Sequence, residues 1–300
     1  MDAGSPQTGA SAPFRGSTMK TAALIAASAL ALAIAFGAGA KNSDAARRNT
    51  EVSMVVRGHA RLNPDGDIQS IAIEREQKVP APVVALIRDS VTQWRIEPTQ
   101  QDGEATTGPL KLTARVVGRM QDDRNVALKL KSVHFGEDRT DVAPKPGTMR
   151  KPSYPAALAG TNAAGTAYVL ARLNANGEVD EAMVEQVNLN VVASEKRMQE
   201  IRDAFAASAV GAIKKWKFIV SEQYRAADAS PVTVRIPVGY ETPQLRLPGY
   251  GQWEAYLPGP RARAPWLSQD ARSADADVVA DGDFQVVGKE PRLLSARSGE

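Results

Sequence analysis

The chain has 300 residues, of which 43% are hydrophobic and 5% aromatic, and it contains no cysteine. Lys and Arg together number 37 and Asp and Glu 34, so the formal net charge of +3 comes from interspersed residues of both signs. These values exclude a disulfide framework and argue against a nucleic-acid-binding surface, and the length predicts two domains.

The beginning of the chain contains a segment typical of export. Lys20 is followed by an uncharged run at 21–40 that ends in Ala-Gly-Ala before Lys41. This pattern is that of a secretory signal, so we predict cleavage after Ala40 and a periplasmic protein. Two alternatives stay open. First, the run is long enough to remain as an inner-membrane anchor facing the periplasm, and we expect membrane contact only in that case. Second, Met19 is a candidate for the true start of the protein.

An internal repeat organises the middle of the chain. Residues 58–66 and 169–177 share Ala-Arg-Leu-Asn, two free positions and a Gly, at an offset of 111 residues. Downstream, two sets of residues with steps of 4, 4 and 3 predict one apolar helix face in each copy: Val83, Ile87, Val91 and Trp94, and Phe205, Ala209, Ile213 and Trp216. The second offset is 122 residues, so eleven extra residues are expected within 188–199 of the second copy.

Each copy has the order strand, strand, helix, strand. Asp65-Gly66 and Asn176-Gly177 predict tight hairpin turns, and alternating apolar residues at 110–116 and 232–238 predict the strand after each helix. A helix with one apolar stripe must bury it on its own sheet. The sequence therefore predicts an α+β fold of two small two-layer modules, each an antiparallel three- to four-stranded sheet packed on one main helix.

The pattern divides the chain into five parts. They are an upstream extension and signal at 1–40, a first module at 50–140, a linker at 141–152, a second module at 153–242, and a tail at 243–300. The linker contains three prolines, so it is expected to resist regular structure. The tail is rich in Pro and Gly with isolated aromatic residues, and it is either disordered or lies over the modules.

The residue types that carry chemistry do not form a recognisable site. His59 and His134 are the only histidines, and neither has a second ligand at metal spacing. The carboxylate pairs Asp65/Asp67 and Glu178/Asp180 flank hairpin turns, where acidic residues favour turn geometry. We therefore expect no catalytic residues, no metal and no cofactor, and a protein that is not an enzyme.

The second copy resembles a known family over about residues 151–242. Lys151-Pro-Ser-Tyr-Pro155, the Asn176-Gly177 hairpin, the helix end Lys214-Lys-Trp-Lys-Phe218 and the strand 232–240 are similar in combination to the C-terminal domain of TonB. The first module resembles a degenerate copy, since it keeps the hairpin and the Trp but lacks the Tyr-Pro pair.

The resemblance implies a partner and a binding mode. Domains of that family sit in the periplasm and capture an extended peptide of an outer-membrane receptor by adding a strand to a sheet edge, during energised transport. Carried over, the edge strand is 232–240, and a homodimer is compatible with such an edge. The residues expected to bind the partner are Tyr154, Pro155, Val232, Val234, Ile236, Val238 and Tyr240.

Two features depart from an energy transducer: the Pro-rich spacer after the apolar segment is missing, and that segment looks cleavable. The alternative is therefore a structural or accessory envelope protein without a transport role, whose modules pack together and leave no free edge.

Overall fold

The computed structural model describes residues 25–26, 50–98, 100–101, 104–105, 109–120, 125–137, 144–222, 231–267, 284–288 and 293–296. Apart from residues 25–26, the predicted signal lies outside these ranges, so its cleavage stays a prediction. Within the described ranges no helix is long and apolar enough to cross a membrane.

The described strands are, in chain order, β1 (Ile25–Ala26), β2 (Glu51–Leu62), β3 (Ile68–Ile73), β4 (Trp94–Ile96), β5 (Gln100–Gln101), β6 (Glu104–Ala105), β7 (Pro109–Met120), β8 (Asn125–Glu137), β9 (Lys145–Pro146), β10 (Gly165–Leu173), β11 (Val179–Leu189), β12 (Phe218–Ile219), β13 (Val232–Tyr240), β14 (Glu254–Tyr256), β15 (Gln285–Val287) and β16 (Leu293–Ala296). The α-helices are α1 (Ala81–Val91) and α2 (Glu195–Ile213), and short 3-10 helices lie at Glu76–Lys78 and Ala156–Leu158.

The first module is an antiparallel sheet with α1 on one face. Its own strands are β8, β7 and β2 in that order, with β3 also paired to β2. Val83, Ile87 and Val91 of α1 are fully buried against the sheet, as the helical spacing predicts. Strands from outside the module extend this sheet, β1 along β8 and β14 along β2.

The second module repeats this arrangement. Its strand order is β11, β10, β13 and β15, and all pairs are antiparallel. Phe205, Ala209 and Ile213 of α2 are fully buried against it. The helix begins after Ser194, whose Oγ accepts a hydrogen bond from the backbone N–H of Arg197. Two antiparallel sheets, each packed on one helix, confirm the predicted fold class.

Two asparagines shape the hairpins in the same way. The Asn63 N–H donates to the Asp67 carbonyl (3.0 Å), and its side-chain Oδ1 accepts from the Asp67 N–H (2.8 Å). The equivalent distances between Asn174 and Glu178 are 2.9 and 3.0 Å. Asparagine side chains often hydrogen-bond the backbone a few residues on, so the repeated Asn is a turn-forming residue in both copies.

The hairpin glycines make a second repeated contact, with the segment that follows each helix. The Gly66 carbonyl accepts from the Ile96 N–H (2.8 Å), and the Gly177 carbonyl accepts from the Phe218 N–H (2.7 Å). Ile96 and Phe218 are 122 positions apart, which is the offset of the helix faces. The two copies therefore share this backbone contact between hairpin and helix end as well as their pattern of apolar residues.

Gly177 is expected to tolerate no side chain. Its φ is +79°, and an added Cβ would overlap the carbonyl oxygen of Phe218. We expect Gly177→Ala to lower the free energy of unfolding by about 2–4 kcal/mol, because left-handed strain and a backbone clash add together. Gly160 is the matched control, since its φ is +76° but no atom lies within 4 Å of an added Cβ. Gly160→Ala should cost about 1 kcal/mol in urea unfolding. Equal losses in Gly177→Ala and Gly160→Ala would show that the structure relieves the clash at Gly177.

Both tryptophans lie beyond the helices that were expected to end in them. Trp94 belongs to β4 and packs edge-on against Phe135, with ring centroids 6.1 Å apart. Trp216 follows α2 by three residues, and its Nε1 donates to the Arg150 carbonyl (2.9 Å).

The eleven extra residues of the second copy are absorbed mainly by longer elements, since α2 has 19 residues against 11 in α1, and β11 has 11 against 6 in β3.

The expected linker and tail take part in the fold. Residues 145–146 form β9, which pairs with β12, so the expectation that the linker resists regular structure is wrong at this point. In the tail, β14 pairs with β2, β15 with β13 and β16 with β4. The described part of the tail therefore lies over both modules, which is the second of the two expected alternatives.

Candidate functional site

The alternate residues of β13 that were expected to bind a partner are core residues. All nine residues of β13 are buried. The expected contact residues of the strand lie on the face that packs on α2, with exposed fractions of 9, 0, 4, 5 and 3%: Val232, Val234, Ile236, Val238 and Tyr240. Alternation along a strand directs one set of side chains into its own module, so a partner would meet the main chain of these residues rather than their side chains, and partner binding along β13 stays a prediction.

Tyr154 also has a structural role. Its hydroxyl donates to the Ala163 carbonyl (2.8 Å), and its ring packs edge-on against Phe205 and Tyr240. Phe205 and Tyr240 are stacked with centroids 4.3 Å apart, and the Tyr240 hydroxyl donates to the Phe205 carbonyl (3.1 Å). Burial raises the pKa of Tyr240, which keeps this hydroxyl a donor. Pro155 has extended backbone geometry and lies immediately before the 3-10 helix at 156–158, and its contact with a partner stays a prediction.

One edge of β13 pairs with β10 along its whole length, and the other edge is partly occupied by the tail. Thr233, Val234 and Arg235 face Val287, Val286 and Gln285 of β15 in antiparallel register. The expectation of an edge open over 232–240 is therefore wrong at 233–235. Pro237 has no N–H to offer on this strand, as the sequence indicates.

The face of this sheet opposite α2 holds a buried ionic network around Arg235, which is 0% exposed. Its Nε donates to Oε2 of Glu185 (2.6 Å), and its Nη2 donates to Oε1 (3.1 Å). Nη2 of Arg261, from the tail, donates to the same carboxylate (2.7 Å). The third donor of Arg235, Nη1, reaches Oε1 of Gln285 in β15 (2.8 Å). Burial of such charges is tolerated only with partners of this kind.

The network extends to the first module through His134 of β8. The side-chain amide of Gln285 donates to Nδ1 of His134 (2.8 Å), since an amide nitrogen is only a donor. Burial, and to a smaller extent the positive charge of Arg235, lower the pKa of His134 from 6.5 to about 4. The ring is therefore neutral at pH 7. The contact between Gln285 and His134 also shows that the two modules meet on the sheet faces opposite their helices.

His134 makes the stability of the protein depend on pH. Its pKa is lower in the folded state than in the unfolded state, so the stabilisation present above pH 6.5 is lost as the pH falls from about 6.5 to about 4. We expect a loss of about 1 to 3 kcal/mol over this window, discounted because the ring is half-buried. Guanidinium unfolding at pH 7.0 and 4.5 should show a smaller pH difference in His134→Asn than in the wild type. His59→Asn is the control, and an unchanged difference in His134→Asn would contradict the assignment.

The tail joins the two sheets at a segment that we call the clamp, residues 254–257. Its first three residues are β14, paired with β2 of the first module. Its last residue, Leu257, exchanges two backbone hydrogen bonds with Leu189 of the second module (2.7 and 3.0 Å). The Asn190 side chain donates to Oε1 of Glu254 (3.0 Å) and to the Ala255 carbonyl (2.9 Å). The clamp therefore fixes one module against the other.

A cavity of about 170 Å³ lies beside the clamp, lined by residues of both modules and the tail. Two arginines line it. Arg115 is 2% exposed, donates to Oγ of Ser53 (2.6 Å) and lies 5.6 Å from the ring centre of Tyr256. Arg57 pairs with Glu74 at 3.4 Å. Both side chains therefore contact other residues of the protein at this cavity between the modules.

The other residues singled out in the sequence also have local partners. Asp180 accepts from the Asn174 side chain (3.1 Å), and Glu178 pairs with Lys217 (3.3 Å), both at the second hairpin. Among the described residues, no group of three or more His, Asp or Glu side chains is placed to hold a metal ion.

Sequence reasoning missed the network of Arg235, Glu185, Gln285 and His134. A signal for part of it was present, because Arg235 is the single charged residue of the strand at 232–240 and lies between Val234 and Ile236. A charge in such a strand needs a buried partner when both faces of the sheet are covered.

Comparisons with known proteins add no relative. No protein-family model matches the chain, and searches of curated proteins and of solved structures return no significant match.

Proposed function

We propose that this chain is a non-enzymatic periplasmic protein whose second module binds an extended segment of another envelope protein as an added strand beside β13. One observation carries the proposal: this edge takes an antiparallel strand, β15, at 233–235. Such an edge bonds a strand through main-chain donors and acceptors. It can therefore accept other extended segments whose side chains fit the same positions.

The resemblance of residues 151–242 to the C-terminal domain of TonB supports the cellular setting. It makes an outer-membrane receptor peptide the candidate partner and energised transport the candidate process. The apolar run at 21–40 supports export, with an inner-membrane anchor as the alternative if the run is not removed. The non-enzymatic part of the proposal is supported by the turn and interface positions of the acidic residues and of His134.

The test is a titration of the isotope-labelled full chain with synthetic peptides copied from periplasm-facing termini of outer-membrane receptors. We expect amide shifts confined to β13 and its neighbours, with dissociation constants between about 10 μM and about 1 mM, as for short strand ligands of modest area. Peptides with Pro at alternate positions are the control and should bind at least about tenfold more weakly, because they lack backbone donors. No shift up to about 1 mM in either the wild type or a variant with a weakened β15, Val286→Lys, would contradict the proposal.

A second candidate is a structural or accessory envelope protein without a transport role. The observation that favours it is the clamp, which together with β15 and β16 covers edges of both modules with the chain's own tail. This candidate requires that peptides bind neither the wild type nor Val286→Lys while the fold is retained. The same titration therefore separates the two functions.

A further inference from the structure

The strand β15 meets its neighbours with both of its faces. Phe284, just before the strand, and Val286 pack on the core beneath α2, and Phe284 lies edge-on to Phe218 with centroids 5.8 Å apart. Val287 lies on the opposite face, buried with Leu170 and Leu267. The three register pairs between β15 and β13 are thus supported by side-chain contacts on both faces of the sheet.

Gln285 is the specific contact of this strand. It is 5% exposed, accepts from Nη1 of Arg235 (2.8 Å) and donates to Nδ1 of His134 (2.8 Å). A carboxamide satisfies a donor on one side and an acceptor on the other, which neither a carboxylate nor an ammonium group does. The position opposite Arg235 is therefore built for a residue of the glutamine type.

We infer that β15 occupies the place of the partner, and that the partner is an extended segment with a glutamine between two apolar residues. The inference rests on the proposed strand addition and adds the chemistry of the ligand and the competition by the tail. Since β15 belongs to the same chain, its local concentration is high, and a free peptide binds the wild type only when it displaces the tail.

The probe is a fluorescent peptide copied from residues 281–290, measured by anisotropy against the full chain. We expect Val286→Lys in the chain to tighten binding at least about tenfold, because a lysine at this partly buried position, packed against the core of the second module, weakens the internal strand and opens the edge. Leu294→Lys in β16 is the matched control, since Leu294 is 48% exposed and its strand pairs with β4 of the other module. It should leave peptide binding unchanged.

The peptide itself is varied in two ways. Replacing the glutamine by alanine should weaken binding by about 10- to 100-fold, because a hydrogen bond to a charged group is lost. Exchanging the glutamine with the following valine keeps the composition but moves the carboxamide to the other face, and should weaken binding similarly. Equal affinity for these peptides and the original would overturn the glutamine assignment and leave strand addition intact.

A second chain variant keeps the test decisive if Val286→Lys disturbs folding. Val234 and Val286 are register partners in a chain without cysteine, so Val234→Cys with Val286→Cys forms a single cross-strand disulfide. The oxidised protein should bind no peptide, and reduction should restore binding. Equal binding by the oxidised and reduced forms would overturn the competition by the tail.

Two other results are distinguishable from these. Failure of every peptide to bind any folded variant would overturn the proposed strand addition as well as this inference. A wild-type chain that sediments as a dimer and becomes a monomer in Val286→Lys would assign the edge to the tail of a second copy, and would overturn the assignment to a foreign segment.

Discussion

Replacing Glu185 with alanine is expected to lower the free energy of unfolding by about 3–5 kcal/mol. The carboxylate bonds Arg235 through two donors and is 3% exposed, while Arg235 is fully buried. Without Glu185 the guanidinium stays in the interior with its charge uncompensated, and that penalty exceeds the loss of the hydrogen bonds alone. The loss is measured as the shift of the urea unfolding curve of the full chain.

The arrangement of charges also predicts the order of the losses. Arg235→Ala should cost less than Glu185→Ala, because Arg261 still pairs with the remaining carboxylate at 2.7 Å. Glu181→Ala is the matched control. It removes the partner of Arg172 in a half-exposed pair on the same sheet, and should cost less than about 1 kcal/mol. Similar losses for Glu181→Ala and Glu185→Ala would show that burial does not set the cost.

The second large effect is expected for Phe205→Ala, at about 3–5 kcal/mol. Phe205 is fully buried in the centre of α2 and is stacked on Tyr240, and Tyr154 packs edge-on against both rings. Truncation leaves a cavity under the helix and removes aromatic contacts that add to simple burial. Thermal unfolding of the full chain, followed by circular dichroism, measures the loss.

Tyr240→Phe is the control for this site. It keeps the stacked ring and removes only the hydroxyl that donates to the Phe205 carbonyl, so we expect a loss of about 1 kcal/mol. A loss in Tyr240→Phe as large as that in Phe205→Ala would assign the stability of this cluster to the hydrogen bond rather than to packing.

The proposed binding edge and the predicted site residues lie on the same strand, β13, but they differ because the edge is formed by the main chain and the predicted residues are side chains on one face. The sequence resemblance names the same strand as the proposal, but the alternate residues that it names face α2. The proposed strand addition would use the main chain, and its side-chain specificity would come from the opposite face, where Arg235 bonds Gln285. The sequence does not predict a binding role for that face, because nothing local to β13 shows what covers it.

The amino-acid sequence by itself determined the local elements and their repetition. Hairpin turns follow from Asn, Asp and Gly at fixed spacing, and helix faces follow from residues three and four apart, because both depend on neighbours along the chain. The two copies and the strand after each helix were predicted on these grounds, and the structure confirms them. The errors of this kind are at element ends, such as Trp94 and Trp216.

Only the tertiary structure decided what lies on the second face of each sheet. Alternation in 232–240 predicts one buried face, yet all nine residues are buried, since the other face meets the tail and the first module. The tail strands β14, β15 and β16 are three or four residues long, too short for a periodic signal. β14 and β15 form because an existing sheet edge supplies their hydrogen bonds, and β16 because β4 does. Pairing between residues 50 or more positions apart, such as Arg235 with Glu185 and Gln285, leaves no local pattern to read.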